Sequence, residues 1–308
     1  MTGGPRRHFC DRLAALVDER RSRVVLGLDP DPAALWPEAL EHLGGTEGAA
    51  HLARVHTAEA VAAHCRAAIV AAGPACVAVK LQLACFERLG APGWEALEAT
   101  VAVARDHGLL AIADGKRGDV PVTARAYAQA LVGETEGPFG TVEGLGVDAF
   151  TANPLLGRDS LEPLVEAAAA AGAGAFVLVR TSNPGGADLQ DEGDPPLYER
   201  LARLVDDLGA AHTGDSGLSL VGAVTGATQA ELLGRLRELM PRAVFLLPGV
   251  GAQGGRVEDL AAAFEPHPAA GLVTASRSIV NAHVERGGEP AAAAAAAAEE
   301  LRVAAWEL

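Results

Sequence analysis

The chain has almost no lysine. Of its 25 basic side chains only Lys80 and Lys116 are primary amines, and every other cation is arginine. Aromatics make up 4% of the residues, and 308 positions hold only two methionines and four cysteines. Positive charge is short overall. The net charge of −15 argues against a general binder of nucleic acid or of membrane surfaces, which would meet a repulsive field, so an anionic ligand needs a local basic cluster. Cys10, Cys65, Cys76 and Cys85 form neither a CxxC pair nor a Cys/His metal pattern, which leaves them the role of reduced core thiols. No apolar run is long enough to span a bilayer, and the opening MTGGPRRHFCDRL has no apolar signal region. A reducing cytoplasm is the expected location.

What is present is a 49% hydrophobic chain, able to bury a large core, whose length fits one barrel-sized domain or two ordinary ones. Short apolar runs recur at 24–28, 76–81, 109–113, 147–152, 175–180, 220–224, 243–247 and 271–275, mostly bounded by Gly or Pro. Helical spacing marks 8–21, 57–72, 93–107, 122–132, a helix capped at Asp159 or Ser160 and running to 171, then 197–208, 229–240 and 257–264. The eight-alanine run within 289–306 reads as an end helix, since alanine has the highest helix propensity. Residues 31–56 read as a Pro/Gly-punctuated excursion with a helical turn near 35–43, 133–146 as a Gly-rich acidic connection, and 187–196 as loop. Eight mostly apolar strands, each followed by a helical pattern, predict a (β/α)8 TIM barrel in preference to an open doubly wound sheet. It would be a single domain over 1–308 with extra helices at both ends.

The polar residues fall just after the strands, where a barrel gathers them on one face: Asp29, Lys80, Asp114, Lys116, Asp119, Ser182, Gln253 and Arg277. The densest group is Asp-x-Lys-x-x-Asp in LLAIADGKRGDVPVT, two carboxylates and an ammonium within six residues, each setting the others' pKa. An ammonium can deliver a proton where a guanidinium cannot. Three readings of this group stand: an acid–base site, a structural ion-pair network at the rim, and a metal site on Asp114 and Asp119, disfavoured because Lys116 competes with a cation. The glycine-rich loop 248–255 and the pair Arg277-Ser278 follow the seventh and eighth strands, the usual phosphate corner of this barrel, with Gln253 and Arg277 as side-chain donors. Arg180 either lines the site or makes a rim ion pair. His51, His56, His64, His107 and His212 lack ligand spacing and read as solvated or capping residues.

Taken together, FCDRL, GLDPDP, VKLQLACFE, DGKRGD, NPLLGRDS, FVLVRTSNP, PGVGAQGG and SRSI resemble, in order and over nearly the whole chain, the longer bacterial branch of the orotidine 5′-phosphate decarboxylases. DGKRGDVPVT is similar to that family's Asp-x-Lys-x-x-Asp-Ile-x-x-Thr signature. Asp-x-Lys-x-x-Asp alone also occurs in magnesium-dependent sugar-phosphate decarboxylases of the same barrel superfamily. The resemblance implies cofactor-free and metal-free conversion of orotidine 5′-phosphate to UMP in pyrimidine biosynthesis. It implies that Asp29 and Lys80 hold the ribose hydroxyls, that Asp114 lies against the substrate carboxylate, and that Lys116 protonates C6. It further implies that Ser182 reads the pyrimidine edge, that Gln253 and Arg277 grip the phosphate, and that loop 249–255 closes over it. Asp119 and Thr123 would reach the neighbouring site of a homodimer. Val120 stands where the family has Ile, Gly115 where Ala is common, and Leu155 where an aromatic is common.

Overall fold

The computed structural model describes residues 7–41, 50–251 and 253–308. Eight parallel strands close into a barrel in sequence order: Val24–Leu28, Ala78–Gln82, Leu110–Arg117, Ala149–Ala152, Gly174–Arg180, Ser219–Thr225, Ala243–Pro248 and Gly271–Ala275. The first strand pairs with both the second and the eighth, so no edge is left open. The expected (β/α)8 barrel is the fold observed.

Because side chains alternate across a strand, each strand feeds two cores. Outward residues such as Leu26, Val79, Ala113, Val177 and Leu247 pack under the surrounding helices. Inward residues such as Val25, Ala78, Ile112, Phe176, Leu246 and Leu272 fill the barrel, whose amino-terminal end is plugged by the opening helix Phe9–Arg20 through Phe9, Leu13 and Val17. The rings of Phe9 and Phe176 meet edge to face with centroids 5.9 Å apart. The apolar filling continues only part of the way up, and its next inward layer is the polar one described below.

The closing helix Pro290–Trp306 is capped by Glu289, whose carboxylate accepts the N–H groups of Ala291 and Ala292. Its small side chains Ala294, Ala297, Ala298 and Ala305 are buried. The four thiols are free, and burial pushes those of Cys65 and Cys76 up to about 12. No helix among the described residues is long and apolar enough to cross a membrane.

Several expected elements differ. The third strand runs on through Arg117 instead of stopping at Ala113. Residues 133–146 contain an antiparallel hairpin, Glu134–Gly137 with Gly140–Glu143. Position 187–196 includes the short helix Ala187–Gln190. The helix expected at 229–240 is α-helical over Leu233–Leu239, preceded by a 3₁₀ segment with non-helical backbone at Gln229, and 257–264 forms two 3₁₀ turns. The cap of the helix Arg158–Ala171 is Gly157, in left-handed backbone, with Ser160 donating back to its carbonyl at 2.7 Å. Of the turn expected at 35–43, the structure shows the 3₁₀ turn Pro37–Ala39, while 42 and 43 lie outside the described residues. His64 is neither solvated nor an end cap. Its Nδ1 accepts the N–H of Trp36 at 3.1 Å, and burial, with His283 adding to it, pushes the imidazole down to about 4.

Gly222 shows how tightly the barrel floor is filled. A Cβ there would stand 2.7 Å from both the Phe176 ring and the carbonyl oxygen of Val244. Gly222→Ala is therefore expected to lower stability by about 1–3 kcal/mol through overpacking, measured by urea denaturation. An unchanged midpoint would show that the floor has slack.

Candidate active site

The polar layer sits at the carboxyl ends of the strands, around a cavity of about 450 Å³. Period-two alternation carries each inward row from the apolar floor to this rim: Val25 to Asp29, Ala78 through Lys80 to Gln82, Ile112 to Asp114, Ala149 to Thr151, and Leu272 through Thr274 to Ser276. Strand register then sets which charges meet. Lys80 lies beside Gly27 of the first strand and Ile112 of the third, and Gln82 beside Asp114.

Four charged groups alternate in sign across three strands. Lys80 Nζ donates to Asp114 Oδ2 at 2.9 Å and lies 3.5 Å from Asp29 Oδ1. Lys116 Nζ donates to Asp114 Oδ1 at 2.6 Å. Gln82 donates to Asp114 Oδ2 at 3.3 Å, and the Thr151 hydroxyl to Oδ1 at 2.9 Å. Burial by itself pushes the Asp114 carboxyl up. The ammoniums of Lys80 and Lys116 outweigh that and hold it at about 2. Burial likewise pulls Lys80 down, and the carboxylates of Asp114 and Asp29 more than reverse it, so its ammonium is held above the ordinary lysine value. Lys80 and Asp114 are buried, whereas Lys116 is 42% exposed at its side chain and open to a ligand.

Lys116 owes its aim to a bulge. Between Ala113, paired with Phe150, and Arg117, paired with Ala152, the third strand spends four steps while the fourth spends two. Lys116 itself has φ +48°, a left-handed backbone that a residue with a side chain adopts only under constraint. Gly115 has a local reason to differ from Ala, since a Cβ there would stand 2.6 Å from Leu83 Cδ1.

The other wall comes from later strands. Ser182 donates to Gln253 Oε1 at 2.8 Å, joining the loops after the fifth and seventh strands. Gly249, Gly251 and Gly254 have φ of +105°, +76° and +91°, so this loop needs glycine to turn back on itself. Arg277, at the start of the short helix Arg277–Val280, lines the same cavity and is exposed. Arg180 is buried and paired bidentately with Asp191, at 2.7 and 3.0 Å, and also donates to Thr181 O. It is a rim ion pair behind the Ser182 loop.

Of the nine residues read from the sequence as site residues, the cavity collects seven: Asp29, Lys80, Asp114, Lys116, Ser182, Gln253 and Arg277. Asp119 and Thr123 do not line it. Asp119 Oδ1 accepts the Val120 N–H at 2.8 Å, and the exposed Thr123 hydroxyl reaches only Val120 O at 3.4 Å. The cavity is also lined by Gln82, Thr151, Thr274 and Ser276, which the sequence reading does not single out, although the first three lie two positions along their strands from another inward residue and Ser276 directly follows the eighth strand. Among the described residues no group of three His, Cys, Asp or Glu side chains could hold a metal ion.

Comparison with known proteins agrees with this geometry. Residues 22–297 match the model of the orotidine 5′-phosphate decarboxylase / HUMPS family. An orotidine 5′-phosphate decarboxylase of Rhodopirellula baltica is 40% identical over 280 residues, covering 89% of each chain. One of Deinococcus radiodurans is 42% identical over 261 residues, covering 84% of each. The solved OMP decarboxylase of Leishmania donovani superposes with a TM-score of 0.70 at 29% identity, over 97% of this chain and 99% of the other. With a closed eight-stranded barrel, a charge array at its mouth and relatives at this level of identity, the chain belongs to the orotidine 5′-phosphate decarboxylase / HUMPS family.

Proposed function

We infer that this chain converts orotidine 5′-phosphate to UMP and CO₂, within one catalytic domain, as a step of pyrimidine biosynthesis in the cytoplasm. The observation that carries the reading is a single carboxylate, Asp114, held between the chain's two lysine ammoniums in a cavity that also contains Gln253 and Arg277. In the reaction the C6–carboxylate bond breaks and CO₂ departs, leaving the electron pair on C6 of the pyrimidine. No ring system delocalises that pair, so the barrier must fall through fixed charges already in place. Lys116 supplies positive charge beside C6 and then the proton that becomes the C6 hydrogen. Solvent reprotonates the amine.

The remaining roles are assigned from the family resemblance, and a place in the same cavity supports them. Asp114 stays ionised beside the departing carboxylate. Its like charge would raise the energy of the bound substrate and be relieved as CO₂ forms. Both of its oxygens already bond an ammonium, which leaves a divalent cation a poor claim on them. Asp29 and Lys80 are assigned to the ribose hydroxyls and Ser182 to the pyrimidine edge. Arg277 and Gln253 are assigned to the phosphate, with the loop 249–255 closing over it to exclude water. Binding energy from that non-reacting group can be used in the transition state.

We further propose a homodimer in which Asp119 and Thr123 complete the partner's site. Around them Val120, Val122, Leu155 and Leu156 are exposed, as are Phe139 and Val142 of the neighbouring hairpin, an apolar face flanking two polar residues that have no place in their own cavity.

Chelator-treated protein is expected to deplete the ultraviolet absorbance of orotidine 5′-phosphate. Lys116→Ala should retain UMP binding while losing turnover by several orders of magnitude. Turnover that requires added magnesium would favour the sugar-phosphate reading. Arg277→Ala should raise KM for the phosphorylated substrate more than it alters kcat, and a normal KM would refute the phosphate assignment. Mixed dimers of Asp119→Ala and Lys116→Ala subunits should regain activity, because one of the two sites is then intact. Verified mixed dimers without activity would refute the shared site.

A further inference from the structure

We propose that Thr151 is a positioning residue for the decarboxylation, its hydroxyl standing in for the strand partner that the bulge at 114–116 removes and thereby fixing the turn from which Lys116 acts. The proposal rests on the reading of Lys116 as the proton donor. Its basis is a closed ring of contacts. The backbone N–H of Lys116 donates to Thr151 Oγ1 at 2.8 Å, and the Thr151 hydroxyl donates to Asp114 Oδ1 at 2.9 Å. The same Oδ1 accepts Lys116 Nζ at 2.6 Å. Backbone and side chain of Lys116 are thus both tied, through one threonine and one carboxylate oxygen, to the fourth strand.

A hydroxyl suits this position because it serves both directions at once. It has one proton, which the carboxylate takes, and lone pairs, one of which takes the amide. An apolar side chain would take the partner from the Lys116 amide, whose bond to Thr151 is part-buried beside a buried carboxylate, and so remove the tie between the turn and the fourth strand. Thr151 is 1% exposed, and its branched Cβ restricts the rotamer, so the hydroxyl is held where it is needed. The ladder resumes just beyond, with Asn153 N–H donating to Arg117 O at 2.8 Å, so the bulge is pinned on both sides. Lys116 keeps φ +48° because this ring over-determines it.

The test is the series Thr151→Val, Thr151→Ser and parent enzyme. Valine preserves the shape and removes the hydroxyl. It should lower kcat by about 10- to 100-fold, the scale of one lost hydrogen bond within a charged array, with KM and UMP affinity unchanged within about twofold. Serine should recover most of the loss. Asp114 would lose a donor to its charged form in the valine enzyme, so the acid limb of its pH profile should move toward neutral pH, while that of the serine enzyme should not. The substrate's own titration is common to all three. A valine enzyme with the parent's kcat would overturn the proposal, and so would a loss shared equally by kcat and UMP affinity with the acid limb unmoved. Amide hydrogen exchange of Lys116 in the parent protein gives an answer that needs neither turnover nor a folded variant. Strong protection supports the tie to Thr151, and free exchange refutes it. A parent enzyme that binds UMP but does not turn over would count against the decarboxylase reading alone.

Discussion

Two lysines share one buried aspartate, and the rest of the polar layer is built so that they can. An isolated ammonium or carboxylate at that depth would neutralise itself or unfold the site, because desolvation of a lone charge outweighs most of what folding can return. The array avoids this by alternation: Asp29, Lys80, Asp114 and Lys116 run from the first strand to the third, each cation against an anion. The result is a charged group, Lys116, held at the cavity surface by a partner that cannot easily give up its own charge. Such preorganisation is what a reaction that develops charge at carbon requires.

The barrel makes that arrangement possible in two ways. Its apolar floor, from the opening helix through Phe9, Phe176 and Leu246, stops solvent from reaching the charges from below. Its parallel register sets Asp114 two residues beyond Ile112, the strand partner of Lys80, within reach of the long lysine side chain, so that residues 34 positions apart form a 2.9 Å contact. A strand with unbroken pleat could not have placed both Asp114 and Lys116 as observed relative to Thr151. The bulge supplies the extra length, and the left-handed residue within it is the catalytic candidate itself. On the far wall, the bond from Ser182 to Gln253 links the loop assigned to the base with the loop assigned to the phosphate. The short helix Ala187–Gln190 buttresses the first of these loops through Gln190, which accepts the Thr181 N–H at 2.8 Å.

Most of the fold is legible in the chain itself. Eight apolar runs gave eight strands, and seven of nine residues placed after them share one cavity. The failures have physical causes. Local periodicity cannot see the break at Gln229 or the 3₁₀ turns at 257–264, where packing against the barrel overrides a helical pattern. It cannot see that 133–146 folds on itself, since its strands are exposed and lack the apolar signature of a core strand. His64 looked like a surface residue because its burial depends on Trp36 and His283, far away in sequence. Arg180 is ambiguous in sequence because its partner, Asp191, lies 11 residues on.

By itself the sequence determined the fold class, the two lysines as the chemically distinctive cations, and the strand-end loops to which a phosphate and an acid–base group are assigned. These follow from residue type and spacing along one strand, which are local properties. Tertiary structure alone decided that both lysines bond the same carboxylate, that the third strand bulges to turn Lys116 around, and that Thr151 sits under that turn. It also decided that Asp119 and Thr123 stand outside their own cavity. All of these depend on register between neighbouring strands, and a one-residue slip in register sends every side chain to the opposite face.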